Sequence, residues 1–224
     1  IDASYEDLYI VKSIVTSELS EQLADVLNVK VYNVLTGFKY ISEILNDKSH
    51  SKEKLLLAFE ESNGYMAKPF VRDKDAIQIV PLIIKYKNLL YANNITLKDT
   101  LDDIYRTIGH YHSINLSPVF EGAEGQHKIE EIINSFRNKT IHQVCGLDVK
   151  AIEDYQLGTI ENIESGEKDA TYLPNTNLIR LIFDEGFIAI RPSGTEPKIK
   201  LYVSLSCDHF DVVAQKMNDA IFNS

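Results

Sequence analysis

From Tyr9 onward the chain alternates two kinds of apolar pattern. The run YIVKSIVT predicts a buried strand, and ELSEQLADVLN behind it sets Leu19, Leu23, Val26 and Leu27 on one helical stripe. VKVYNVL predicts a second strand, the segment from about Phe38 to Leu45 a second helix, and KLLLAFE a third strand that runs into FEESNGY. A long apolar helix follows from about Lys74 to Tyr91. Pro81 inside it predicts a kink, because proline lacks the backbone donor and clashes with the preceding turn. TLKDTLDDIYRTIG predicts a further helix, capped by Thr96 and stopped by Gly109. This recurrence of strand, loop and helix is the rhythm of an α/β domain, where ligands bind at the carboxyl ends of strands. TGFKY and FEESNGY are therefore the loops to inspect.

Gly122 and Gly125 predict a break, and the order of elements changes after it. A helix around HKIEEIINSFRN precedes a run of strands at VKAIEDYQLG, NLIRLIFD, FIAIRP and KIKLYVSLS, and DHFDVVAQKMNDAIF predicts a closing helix. Asp184-Glu185-Gly186 between two of the strands predicts a tight hairpin. This half reads as an α+β domain, an antiparallel sheet with helices on one face. The predicted organisation is an α/β domain over 1–117 and an α+β domain over 118–224.

Composition narrows the picture. A length of 224 residues accommodates one large or two modest domains, and 44% apolar with 25% charged residues is the balance of a globular protein. No run approaches the roughly 18 apolar residues that a membrane span requires, so no membrane partner is expected. The net charge of -10 argues against a general nucleic-acid partner and leaves any anion site to local cations. Cys145 and Cys207 are far apart and lack Cys or His at metal spacing. Neither a disulfide framework nor a zinc site is predicted, and a reducing, cytoplasmic setting fits. The chain starts at Ile1 rather than Met and enters a strand pattern almost at once, which reads as a piece of a longer protein.

Four stretches could carry chemistry. IRPSGTEPKIKLYV gathers Arg191, Ser193, Gly194, Thr195 and Lys198 in one turn. A forked guanidinium, two hydroxyls and backbone N–H groups around a glycine suit a phosphate, although a hairpin turn uses the same residues. FEESNGY sets Glu60 and Ser62 two residues apart beyond a buried strand, where a carboxylate and a hydroxyl can meet sugar hydroxyls or simply form a charged turn. VRDKDAI offers Arg72 and Lys74 to a ligand, or Asp73 and Asp75 to the start of the next helix. Lys39 in TGFKY can reach an anion or stay solvated. His110 and His112 in GHYHS lack further donors at ligand spacing and read as packing or surface histidines rather than metal ligands.

GFKY, FEESNGY followed by RDKDA, and RPSGTEPK, in that order, resemble the α-D-phosphohexomutase superfamily and its phosphoglucomutase and phosphomannomutase members. Such enzymes have four domains around one cleft, and this chain resembles domains 3 and 4. The resemblance implies a mixed sheet with flanking helices for the first domain and the family's C-terminal α+β domain for the second. It implies that Glu60, Ser62, Lys74 and Lys39 bind the sugar of a hexose phosphate. It implies that Arg191, Ser193, Gly194, Thr195 and, less directly, Lys198 bind the phosphate that does not react. The family's phosphoserine loop and its D-G-D-x-D-R magnesium loop are missing from the sequence, so no catalytic or metal residue is expected in it. Mg2+ would be held outside this chain, which would pack against N-terminal domains of a parent enzyme. That parent would interconvert hexose 1-phosphate and hexose 6-phosphate through a phosphoserine and a bisphosphorylated intermediate. The alternative is a stand-alone phosphosugar-binding or regulatory module without catalysis.

Overall fold

The structure, a computed structural model, describes residues 7–120, 122–194 and 196–222, with the backbone alone at 123 and 220–222. The chain divides into two compact units, residues up to His110 and residues from Tyr111 onward.

The first unit runs β1 (Leu8–Ser13), α1 (Leu19–Val26), β2 (Lys30–Val34), α2 (Phe38–Asp47), β3 (Lys54–Glu60) and β4 (Gly64–Met66). A 3₁₀ turn (Ala76–Gln78), α3 (Ile79–Ala92) and α4 (Leu97–Ile108) follow. Its sheet has the order β2-β1-β3-β4, with β1 parallel to both β2 and β3, and β4 antiparallel to β3. The strand side chains alternate between two cores. Tyr9, Val11, Val34 and Ala58 pack with Phe38, Ile41 and Leu45 of α2 on one face. Ile10 and Val29 pack with Ala24 of α1 on the other. The mixed α/β sheet with flanking helices is thus present.

Three local expectations fail here for identifiable reasons. The predicted α1 stripe is only partly used: Ala24 is the buried residue, while Val26 and Leu27 are exposed. The long apolar helix begins at Ile79, not near Lys74, because Asp75 accepts the Ile77 N–H and opens the 3₁₀ turn. Pro81 therefore lies in the first turn of α3, where its missing N–H costs little, instead of kinking a helix interior. Helix α4 matches expectation in detail. Thr96 and Asp99 form a reciprocal capping box, and Gly109 at φ 95° terminates the helix. Helix α3 has no buried residue, and its Ile79, Leu82, Ile83 and Tyr86 face Leu23, Leu27 and Phe59 across an apolar cavity of about 450 Å³.

The second unit comprises β5 (His112–Leu116), α5 (Gly122–Arg137), β6 (Gln143–Val144), β7 (Leu147–Asp148), β8 (Ala151–Asp154), β9 (Thr159–Asn162) and β10 (Lys168–Ala170). It continues through β11 (Ile179–Phe183), β12 (Gly186–Pro192), β13 (Ile199–Leu205) and α6 (Phe210–Phe222). Its large sheet is antiparallel throughout, in the order β10-β9-β8-β11-β12-β13-β5. Ile179, Leu181, Ile188, Ile190, Leu201 and Val203 line up on one face against Ile129 and Ile132 of α5 and Val213 and Met217 of α6. The α+β arrangement is as expected.

Gly122 and Gly125 do not mark a break. Both belong to α5, which starts six residues after β5 ends, counting Ser117 to Gly122. The sequence-based division after Ser117 leaves β5 in the first domain, whereas β5 pairs with β13 of the second unit along Leu201↔Leu116 to Leu205↔His112. Its GHYHSINL sequence has weak strand patterning, and pairing with the far end of the chain is what makes it a strand. The two histidines pack: His110 lies against Tyr105 with ring centroids 4.1 Å apart, and His112 stacks on Phe210 at 5.1 Å. Cys145 and Cys207 are free thiols. No helix among the described residues is long and apolar enough to cross a membrane.

The hairpin at Asp184-Glu185 is as tight as the sequence predicts, because Phe183 pairs directly with Gly186. Gly186 has φ 139°, and a Cβ there would lie 2.2 Å from the Ser204 carbonyl oxygen on β13. Both the dihedral and the close approach exclude a side chain. Gly186→Ala is expected to cost about 3 kcal/mol of unfolding free energy, read as a lower urea midpoint with an unchanged slope. An unchanged midpoint would mean that the two strands separate at this corner.

Candidate functional site

The first candidate site lies where β3 ends. Ala58 and Glu60 point to the α2 side of the sheet, which brings the Glu60 carboxylate to the start of that helix. Its Oε1 accepts the backbone N–H of Gly37, the residue that precedes α2. The partial positive charge of a helix N-terminus favours an anion at that position. Gly64, across the turn on β4, leaves room for the other oxygen: a Cβ there would stand 3.2 Å from Glu60 Oε2 and 2.9 Å from the Phe38 ring.

Glu60 is 6% exposed. Burial pushes its carboxyl above the ordinary range. The Gly37 N–H opposes that shift, Glu61 adds to it, Lys74 opposes it and Asp73 adds to it. Lys74 is thus within electrostatic reach of Glu60, while its side chain is exposed. Lys39, in the first turn of α2, is also exposed and lies 4.5 Å from the centroid of the Tyr40 ring. Ser62 is exposed in the turn between β3 and β4, next to Asn63 at φ 59°. Glu61, Asp73 and Lys74 are all within electrostatic reach of the Glu60 carboxylate. In the RDKD segment, Arg72 donates to Asn46 Oδ1 and Asp75 caps the 3₁₀ turn, as the helix-start reading of these residues has it.

The sequence reading missed the polar residues behind this loop. Lys12, Ser13 and Thr16 are buried at the carboxyl end of β1. Ser13 donates to Glu61 Oε2 at 2.9 Å, and Lys12 pairs with Glu21 at 2.8 Å. Burial pushes the Glu21 carboxyl up, but the Lys12 charge and hydrogen bond pull it below the ordinary range. A lysine and a serine inside the apolar run YIVKSIVT were the available signal.

The second candidate site is the connection from β12 to β13. Ser193 N–H donates to the Lys198 carbonyl at 2.8 Å and closes the turn. Gly194 is exposed, and nothing lies within 4 Å of where its Cβ would be. Arg191 pairs in register with Lys200, so two cations stand directly opposite each other at the mouth of the loop. Two cations at that spacing concentrate positive charge where an anion could be met. Lys200 was not identified from the sequence, because only the strand register places it beside Arg191. Lys198 is half-buried and its ammonium pairs with Glu196 at 2.5 Å, so its charge is already engaged. Thr195 lies outside the described residues. Among the described residues, no group of three or more His, Cys, Asp or Glu side chains could hold a metal ion.

Residues 3–108 match the family model for phosphoglucomutase/phosphomannomutase, alpha/beta/alpha domain III. With that domain and the antiparallel second unit in place, the chain belongs to the α-D-phosphohexomutase superfamily. Its relatives include the phosphoglucomutase of Staphylococcus saprophyticus, 54% identical over 217 residues that make up 96% of this chain and 39% of the relative. The phosphoglucomutase of Staphylococcus epidermidis is 53% identical over 213 residues, again 39% of its length. The chain thus spans about two fifths of the curated relatives it matches. The fold is shared with Paramecium parafusin, described as a phosphoglucomutase, at a TM-score of 0.62, 18% identity, and coverage of 96% of this chain and 37% of that one. It is also shared with a phosphoglucomutase/phosphomannomutase family protein of Burkholderia thailandensis, with a TM-score of 0.57, 13% identity, and coverage of 96% and 37%.

The raised carboxyl of Glu60 has a consequence for stability. The folded state holds the proton more tightly than the unfolded state, so the cost of burying the ionised group is full above the folded pKa. That cost disappears as pH falls through it toward the unfolded value. Glu60→Gln keeps an acceptor for Gly37 and removes the charge. The variant is expected to be more stable than the parent at pH 7, with the gap closing as pH falls toward the ordinary glutamate range. Urea unfolding at a series of pH values checks this, and a gap that widens at low pH would contradict it.

Proposed function

We propose that this chain is the substrate-recognition part of a phosphoglucomutase-type enzyme that interconverts hexose 1-phosphate and hexose 6-phosphate. The observation that carries the reading is the strand register that sets Arg191 and Lys200 side by side next to the exposed Gly194 turn. Two cations placed together next to an exposed turn complement the charge of a phosphate. Arg191 supplies a forked donor, Lys200 a second charge, and Ser193 a hydroxyl. Gly194 lets a phosphate approach the backbone.

At the other loop, Glu60 has one oxygen committed to Gly37 and the second available to accept from a sugar hydroxyl. Ser62 offers a hydroxyl in the adjacent exposed turn, and Lys74 and Lys39 bring positive charge. These groups orient a sugar phosphate rather than break a bond, so their contribution is positioning and charge complementarity. In this reading the transferred phosphoryl group rides on a phosphoserine outside these 224 residues and passes through a bisphosphorylated sugar.

In the same reading, magnesium is held by residues outside these 224. The carboxylates here do not fit it, since Glu60 and Glu61 are each held by protein donors and no cluster of ligands forms among the described residues. The chain alone is expected to bind hexose phosphate without turning it over, and the parent enzyme to work in the cytoplasm, with this chain packed against its N-terminal domains.

In the full-length protein, Arg191→Ala is expected to weaken glucose 1-phosphate binding by ~1.5–3 kcal/mol, the usual worth of hydrogen bonds to a charged group. Calorimetric titration measures it, alongside an assay for conversion to the 6-phosphate. Unchanged affinity would remove Arg191 from the phosphate site. Binding without any conversion by the intact protein would instead favour a phosphosugar-binding module.

A further inference from the structure

We infer that Ser13 and Thr16 are positioning residues for the sugar-facing loop: their hydroxyls hold the Glu61 carboxylate and so set the direction in which Glu60 and Ser62 leave β3. The inference rests on the sugar-binding reading of that loop given above. Ser13 Oγ lies 2.9 Å from Glu61 Oε2, Thr16 Oγ1 lies 3.5 Å from the same oxygen, and the two hydroxyls are 2.8 Å apart. Ser13 donates to the carboxylate and Thr16 donates to Ser13, so Thr16 acts on Glu61 through the Ser13 hydroxyl.

The support behind this pair is stiff. Lys12, with no exposed surface, donates to the Thr16 carbonyl at 3.1 Å and pairs with Glu21 of α1. Glu21 in turn accepts from Asn33 Nδ2 on β2 at 2.8 Å. Thr16 is therefore tied to α1 and β2 before it reaches Glu61.

The arrangement solves a specific problem. Glu60 and Glu61 are adjacent carboxylates, Glu60 the last residue of β3 and Glu61 the first of the turn after it. Glu60 is held on the α2 side by Gly37, and Glu61 on the β1 side by Ser13 and Thr16. Glu61 is only part-buried, so water could satisfy it. What the two hydroxyls add is direction. They fix the residue between the two sugar-facing side chains, from an element 45 or more positions away in sequence.

The test uses the full-length protein, glucose 1-phosphate, and the variants Ser13→Ala, Ser13→Thr, Glu61→Ala and the double variant Ser13→Ala/Glu61→Ala. Each single loss is expected to raise KM roughly five- to tenfold with little change in kcat, the scale of one ordinary hydrogen bond felt at one remove from the sugar. Because Ser13 acts through Glu61, the double variant should be no worse than the worse single one, and Ser13→Thr should retain the parent KM. Additive effects, or a parent-like KM in Ser13→Ala, would overturn the inference. Should Ser13→Ala fail to fold, Glu61→Ala in the part-buried turn decides alone, a raised KM supporting the inference and an unchanged KM overturning it. Glu60→Gln separates the two layers. If it changes neither KM nor kcat, the sugar-binding reading fails and the positioning role falls with it.

Discussion

A carboxylate taken out of water needs a donor, and the seat of Glu60 at the end of β3 is built around that requirement. The donor is the Gly37 N–H, so β3 and the start of α2 must meet at a fixed separation. That separation is set by the Val11, Val34 and Ala58 face of the sheet packing on Phe38, Ile41 and Leu45. The apolar core is thereby coupled to the polar loop, since a shift of α2 would unseat the carboxylate as well as open the core. A second constraint of the same kind operates in the other unit. There the register of β12 against β13 stations Arg191 beside Lys200, with the hydrophobic alternation of both strands holding the register in place.

The parts of the fold that local chemistry governs were legible in the sequence. The Thr96 cap, the Gly109 stop and the two-residue hairpin at Asp184-Glu185 are decided within a few residues, and each occurs where the pattern places it. Pro81, Gly122 and Gly125 misled because the same residues that break a helix interior are tolerated in a first turn, and only the neighbouring backbone says where that turn begins. Strand β5 was hidden for the opposite reason, its partner being roughly 90 residues away on β13.

The candidate sites divide along the same line. The residue types at FEESNGY and RPSGTEPK signal polar recognition by composition alone. The Gly37 donor, the Ser13 and Thr16 clamp and the pairing of Lys200 with Arg191 depend on contacts between segments far apart in sequence, so no local pattern could announce them. Lys12 is intermediate: its presence in an apolar strand is visible, but its role is defined by Glu21 on the neighbouring helix. Lys198 shows the reverse case, a cation promising in sequence whose charge Glu196 already occupies.

The large antiparallel sheet ends on β10, a strand of three residues, Lys168–Ala170, all exposed. An unpaired edge offers its free N–H and C=O groups to any passing extended chain. Here that edge is short and carries Lys168 and Asp169, so a second chain docking there would gain few ladder bonds while stripping water from two charges. At this border the sheet limits its own growth, and a protein rich in β-branched strands can be kept at high concentration without edge-to-edge fibres starting from this side.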